Sequence, residues 1–200
     1  MFKKKLIKIE TINFPAKYAN FYLTTYATKY PDQPDMKYVI VLQTKNLPQI
    51  PLIRIHSACL FSEIFKYKSC DCDNQLGKSL RLISQKKGIF FYLDQEGRGY
   101  GIYNKTIELK LQEQGLNTVE ASQKLHLPID NRKYHVVAHI LKRMNINRVK
   151  IITNNPQKIK DLENEGIKVV ERIVFKPLIN RHNLKYLKVK KEQMGHLIDI

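Results

Sequence analysis

Apolar residues along the chain gather in short runs that alternate with stretches of helical spacing. Five runs rich in β-branched or aromatic residues and bounded by turn formers predict strands: Tyr38–Gln43, Leu52–His56, Ile89–Leu93, Val149–Thr153 and Val169–Ile173. Between them the pattern predicts helices over Gln75–Gln85 closing at Gly88, Asn104–Gln114 closing at Gly115, Tyr134–Met144, and Pro156–Glu165 closing at Gly166. The last is the best marked, with Asn155 at the N-cap position, Pro156 at the first helical position and Gly166 as a left-handed C-cap. Thr118-Val119-Glu120-Ala121 starts another helix. Strands that alternate with helices in the second half predict a mixed β-sheet flanked by helices, an α/β (α+β) fold.

The 200 residues suit one domain, with residues 176–200 as a peripheral C-terminal extension of few apolar runs. Met1-Phe2-Lys3-Lys4-Lys5 reads as a solvated strand end, because the alternating Leu6–Thr11 after it has neither the apolar stretch nor the cleavage site of a signal peptide. No run approaches a membrane span, and the expectation is a cytoplasmic protein. Tyr30–Pro34 and Asn46–Pro51 read as ordinary loops.

Charge changes the picture less than it first promises. There are 35 basic and 18 acidic side chains, a net +17, which raises nucleic acid as a partner. The excess is spread evenly over both halves, and 27 of the cations are lysine, whereas a base-reading surface favours arginine. A small polyanion fits at least as well.

The three cysteines, Cys59, Cys70 and Cys72, all lie within 14 residues. An odd, clustered set argues against a disulfide framework and for a soft tetrahedral metal, zinc being the usual one. Three thiolates leave two possibilities. The fourth position is open to water, as in a catalytic zinc, or His56 closes a structural site.

Three further segments carry candidate chemistry. Asp94-Gln95-Glu96-Gly97-Arg98-Gly99 follows a strand, with glycines that permit close backbone approach, but it matches neither a dinucleotide fingerprint nor a Walker loop. Thr153-Asn154-Asn155-Pro156-Gln157-Lys158 enters a capped helix whose free amides and lysine suit an anion. Asp130-Asn131-Arg132 sets a carboxylate two residues from a guanidinium. Each alone is equally a plain turn or cap.

In order along the chain, these blocks and Met194-Gly195-His196-Leu197 resemble GTP cyclohydrolase II, the zinc enzyme that opens riboflavin synthesis. The resemblance is specific from about residue 50 onward and looser for the N-terminal strands of residues 1–50. It implies hydrolysis of GTP at C8 of guanine, releasing formate, and at the α-phosphorus, releasing pyrophosphate. It implies zinc on Cys59, Cys70 and Cys72 with the fourth position open, and GTP contacts at Arg54, Ile55, His56, Ser57, Ala58, Gln75, Glu96, Gly97, Arg98, Thr118, Thr153 and Lys158. Asp130 matches the family's proton acceptor, and Arg132 the group that attacks or stabilises the α-phosphorus. Magnesium on the triphosphate and a homodimer are further implications, with a nucleotide rather than a nucleic acid as partner.

Two departures stand out. Ala58 occupies the place of a usual glutamate beside the first cysteine, and Leu109 that of a usual tyrosine. Leucine cannot relay a proton to a formamide. A product that keeps its formyl group, or a paralogue acting on another purine nucleotide, therefore stands beside full hydrolysis. A basic nucleic-acid-binding protein with a structural zinc is the alternative of another class.

Overall fold

The computed structural model describes residues 5–30 and 36–200; the lysines at 3 and 4 and most of the loop over 30–34 lie outside them. The chain opens with strands β1 (Lys5–Pro15), β2 (Asn20–Lys29), β3 (Tyr38–Gln43) and β4 (Leu52–Ser57). The short helix α1 (Leu60–Glu63), helix α2 (Cys72–Lys86), strand β5 (Ile89–Leu93), the turn α3 (Glu96–Gly99) and helices α4 (Gly101–Glu113), α5 (Thr118–Lys124) and α6 (His135–Arg143) follow. Strand β6 (Arg148–Ile152), helix α7 (Pro156–Asn164), strand β7 (Lys168–Ile173) and helix α8 (Leu184–Glu192) complete it.

Among the described residues the seven strands join one mixed sheet in the order β1-β2-β3-β5-β4-β6-β7. The β1 to β5 side is antiparallel, and β5, β4, β6 and β7 run parallel. Parallel strands are covered on both faces, which is why LIRIH and IFFYL read as nearly unbroken apolar runs. Along β4, Ile53 and Ile55 face a core shared with Val136, Ile140 and Leu141 of α6 and Leu162 of α7, while Leu52 faces Ile83 of α2 and Phe90. Side chains alternate along a strand, so Arg54 and His56 fall on the α2 side, where both are buried. The carboxyl ends of β4, β5 and β6 therefore bring Ser57–Cys59, Asp94–Arg98 and Thr153–Asn155 to one edge of the sheet, the place where open parallel sheets hold ligands.

The parallel strands and their helices fall where the pattern places them, shifted at the ends; α2 starts three residues earlier, at Cys72 itself. Gly166 closes α7 with φ +79°, its amide reaching the Glu163 carbonyl and that of Ile167 the Leu162 carbonyl. At the end of α2 the left-handed residue is Lys87 (φ 53°), not Gly88. Gly88 is required for a different reason: a Cβ there would lie 2.2 Å from the Leu52 carbonyl oxygen of β4, a backbone atom that cannot yield. Gly88→Ala is expected to destabilise the fold by about 2–3 kcal/mol, read as a lower urea midpoint at unchanged slope.

The N-terminal hairpin goes beyond what the sequence marks out. Only the alternation at Leu6–Thr11 hints at it, because β1 is an edge strand with Ile7, Ile9 and Ile12 exposed. Past β7 the chain returns to the site edge, whereas sequence alone leaves residues 176–200 peripheral. Helix α8 buries Leu187 and Val189, and the Leu197 amide donates to the Asn154 carbonyl at 2.8 Å. Among the described residues no helix is long and apolar enough to cross a membrane.

Candidate active site

Cys59 caps α1 directly after β4, and Cys72 is the first residue of α2, so the intervening loop folds back and closes the three thiols together. Their Sγ atoms all lie within 4.8 Å of one another, with Cys59 and Cys70 at 3.8 Å. Ligands about 2.3 Å from a tetrahedral zinc stand about 3.8 Å apart, so the donor set suits that metal. Hydrogen bonds from the Cys59 and Cys72 thiols hold the Cys70 thiol well below its usual value, so a thiolate is ready for a cation.

His56 does not join them. Its Nε2 is 2.8 Å from Glu63 Oε1, and its ring stacks between Phe90 and Tyr92 on the α2 side of β4. Glu63 also accepts the Cys59 amide at 3.1 Å and the Tyr92 hydroxyl at 2.7 Å. His56 Nε2 is thus engaged by Glu63, and among the described residues the three-donor group is Cys59, Cys70 and Cys72. Ala58 removes one carboxylate, but Glu96 reaches in from the turn after β5. Its Oε2 accepts the Leu60 amide at 2.6 Å, and its Oε1 pairs with Lys105, whose Nζ also donates to Cys59 Sγ at 3.3 Å.

A cleft of about 750 Å³ opens from the cysteines, lined by Ser57, Ala58, Glu96, Gly97, Arg98, Leu109 and Thr118 among others. Gly97 and Arg98 both take left-handed backbone (φ 55° and 57°), natural for glycine and strained for arginine. That turn aims the guanidinium at Glu108, with Ser122 Oγ 3.1 Å from Arg98 Nη2, and leaves Nη1 buried without a partner. The Arg98 carbonyl accepts the Asn131 amide at 3.1 Å, which draws the Asp130–Arg132 loop against the turn.

A second cleft of about 650 Å³ gathers Arg54, His56, Gln75, Arg132, Thr153, Lys158 and His196. Arg54 is held by the Ile152 carbonyl at 3.0 Å and Gln75 Oε1 at 2.6 Å, and Lys158 Nζ by the Ile55 carbonyl at 2.8 Å. Burial, then Arg54 and Arg132, push the Lys158 ammonium well below its usual value. Burial, then Lys190, Arg132 and Lys158, push His196 down to about 3. Burial and neighbouring cations thus disfavour further positive charge on Lys158 and His196, and a bound anion would offset that. Arg132 is held at Nε by Asp130 Oδ1 at 2.8 Å and at Nη2 by Oδ2 at 2.5 Å.

Ser57, Cys72, Arg132 and Lys190 line both clefts, so the two are one continuous site. Of the residues the resemblance points to, the cysteines, Ser57, Ala58, Glu96, Gly97, Arg98 and Thr118 lie at the thiol end. Arg54, His56, Gln75, Thr153 and Lys158 lie at the cationic end, with Asp130 one bond behind on Arg132. Ile55 lies apart: its side chain is in the core, and it serves through the carbonyl that holds Lys158. Lys105, Glu108, Tyr186 and Lys190 also line the cleft; a charged residue on a polar helix carries no local signal that it faces inward.

The GTP cyclohydrolase II family model matches residues 7–174. Curated relatives include GTP cyclohydrolase-2 of Helicobacter hepaticus, 38% identical over 94% of this chain and 97% of that protein. GTP cyclohydrolase-2 of Picrophilus torridus is 39% identical over 92% and 94%. Riboflavin biosynthesis protein RibBA of Staphylococcus epidermidis is 37% identical over 94% of this chain and 47% of its own length. The chain thus spans about half the length of the RibBA relatives and nearly all of the two cyclohydrolases.

Proposed function

The chain belongs to the GTP cyclohydrolase II family, and from that premise we propose that it hydrolyses GTP to formate, pyrophosphate and a diaminopyrimidine ribosylamino phosphate, the first step of riboflavin synthesis. The observation that carries this reading is the continuity of a thiol-lined cleft with a cation-lined one across Ser57, Cys72, Arg132 and Lys190. A molecule with a ring to be opened at one end and a polyphosphate at the other spans that site end to end.

Cys59, Cys70 and Cys72 would hold a zinc ion, which when bound lowers the pKa of a water at its fourth position and so makes it a nucleophile at C8. Glu96 and Arg98 offer an acceptor and a donor for the guanine edge, both set by the turn after β5. At the other end Arg54, Lys158 and the capped start of α7 receive the triphosphate, with its magnesium screening charge.

The roles of Asp130 and Arg132 follow from their pairing. Burial pushes the Asp130 carboxyl up, but the Arg132 guanidinium outweighs it and leaves it at about 2. Burial disfavours the Arg132 cation, and the Asp130 carboxylate more than restores it. A carboxylate that acidic is a poor proton acceptor near neutral pH. Asp130 therefore orients Arg132, and Arg132 acts as a fixed cation on the α-phosphoryl group rather than as a nucleophile.

Incubation with GTP and Mg²⁺ should yield equal amounts of pyrophosphate and formate, with about one zinc per chain by elemental analysis; a protein without zinc or turnover would refute the reading. A second outcome has its own observation. Leu109 lines the thiol-end cleft where a phenol would relay a proton. If that relay is needed, pyrophosphate appears without formate, and mass analysis finds the formamide. A homodimer in the cytoplasm belongs to the same proposal, and sedimentation reads the first part directly.

A further inference from the structure

We infer that Lys190, on a helix beyond the residues the family model matches, is a substrate-binding cation placed at the α-phosphoryl group. The inference rests on the nucleotide reading above and adds to it a residue from the C-terminal segment. Helix α8 is anchored by Leu187 and Val189, and the chain after it is tied back to the loop following β6 through the Leu197 amide and the Asn154 carbonyl. That anchoring places Lys190 on the wall common to both clefts, beside Ser57, Cys72 and Arg132.

A nucleotide laid with its base at the thiols and its terminal phosphates among Arg54 and Lys158 has one group at that shared wall: the α-phosphoryl, which joins nucleoside to diphosphate. The protein favours a cation there through Tyr186, Cys72 and Asp71 but gives it no carboxylate partner. Among the described residues no carboxylate comes within ion-pair distance of Lys190 Nζ, which lies 4.3 Å over the Tyr186 ring. The charged and titratable groups facing it are Tyr186 on its own helix, Cys72 and Asp71 at the start of α2, Arg132 on the loop before α6, Lys158 on α7 and His196. Asp130 is paired with Arg132, and Asp71 holds Gln75 with its other oxygen buried and unpartnered, so the cations Arg54, Arg132 and Lys190 outnumber the carboxylates Asp71 and Asp130 by one. A bound phosphate reverses that excess.

Two consequences separate this role from a structural one. Lys190→Met keeps the aliphatic stem but removes the charge, so affinity for guanosine-5′-[(α,β)-methylene]triphosphate, measured by calorimetry, should fall about 10- to 100-fold. The melting midpoint of the free protein should fall somewhat, since burial opposes the Lys190 cation but Tyr186, Cys72 and Asp71 more than restore it. Lys190→Arg should recover most of the affinity. A Lys190→Met protein that binds the analogue within twofold of the parent overturns the assignment. A Lys190→Arg protein that loses as much affinity as Lys190→Met overturns it equally, because the charge would then not be what the analogue reads. A parent that fails to bind the analogue takes down the nucleotide reading, and this assignment with it.

Discussion

On the proposed reading, Cys70→Ser is expected to remove metal binding and ring opening together while leaving the protein folded. A serine hydroxyl stays protonated at neutral pH and does not replace a thiolate, so Cys59 and Cys72 would remain as two ligands. Loss of an outer partner of a metal site costs about 10- to 100-fold in affinity, and loss of a ligand should exceed that. The fold is expected to survive because the two apolar clusters that hold α2, α6 and α7 on the sheet contain none of the three cysteines. Elemental analysis, GTP turnover and a melting curve on the same sample read all three. Chelation of the parent should likewise abolish turnover with only a small shift in midpoint. Cooperative unfolding on chelation, with a steep salt dependence of RNA or DNA binding, would instead mark a structural zinc in a nucleic-acid-binding protein.

That separation between site and core also explains which features the sequence made readable. The strands β4, β5 and β6 announce themselves because burial on both faces demands unbroken apolar runs, and α7 because Asn155, Pro156 and Gly166 each have a single local job. The cysteines are readable because a metal site would need such ligands close together, and here a loop of a dozen residues brings their thiols within 4.8 Å of one another. Whether His56 joins them is not readable from its spacing to Cys59. It depends on strand alternation, which turns the ring to the α2 face, and on Glu63, which captures it there. Helix α8 is the least readable element. It buries Leu187 and Val189, two apart rather than three or four, so its lysine-rich sequence shows no apolar stripe. Lys190 in turn meets Cys72 and Arg132 only through the tertiary fold. Buried polar groups such as Glu108 on Arg98 are hidden for the same reason, since a charged residue on a helix ordinarily reads as solvated.

Arg132→Ala is expected to lower kcat for pyrophosphate release by about 10²–10³-fold, the usual cost of removing a fixed charge from a developing oxyanion, with a smaller rise in KM. Lysine at 132 should restore only part, because one ammonium cannot reproduce a guanidinium gripped at Nε and Nη2 by a single carboxylate. Asp130→Asn tests the orienting role from the other side. The Asp130 carboxyl titrates at about 2 in the fold against 3.8 ordinarily, so its charge favours the folded state. That contribution is present in full above about pH 4 and is lost as the pH falls toward 2. The asparagine variant should accordingly be about 2 kcal/mol less stable at pH 7, and the gap should close in acid as the parent's own carboxyl takes up a proton. In the parent, the rate of pyrophosphate release should show no acid limb from Asp130 between pH 5 and 8. A limb in that range that disappears in Asp130→Asn would make the carboxylate a proton acceptor in its own right, free of Arg132 when substrate is bound, and the guanidinium would then be the group in need of another role.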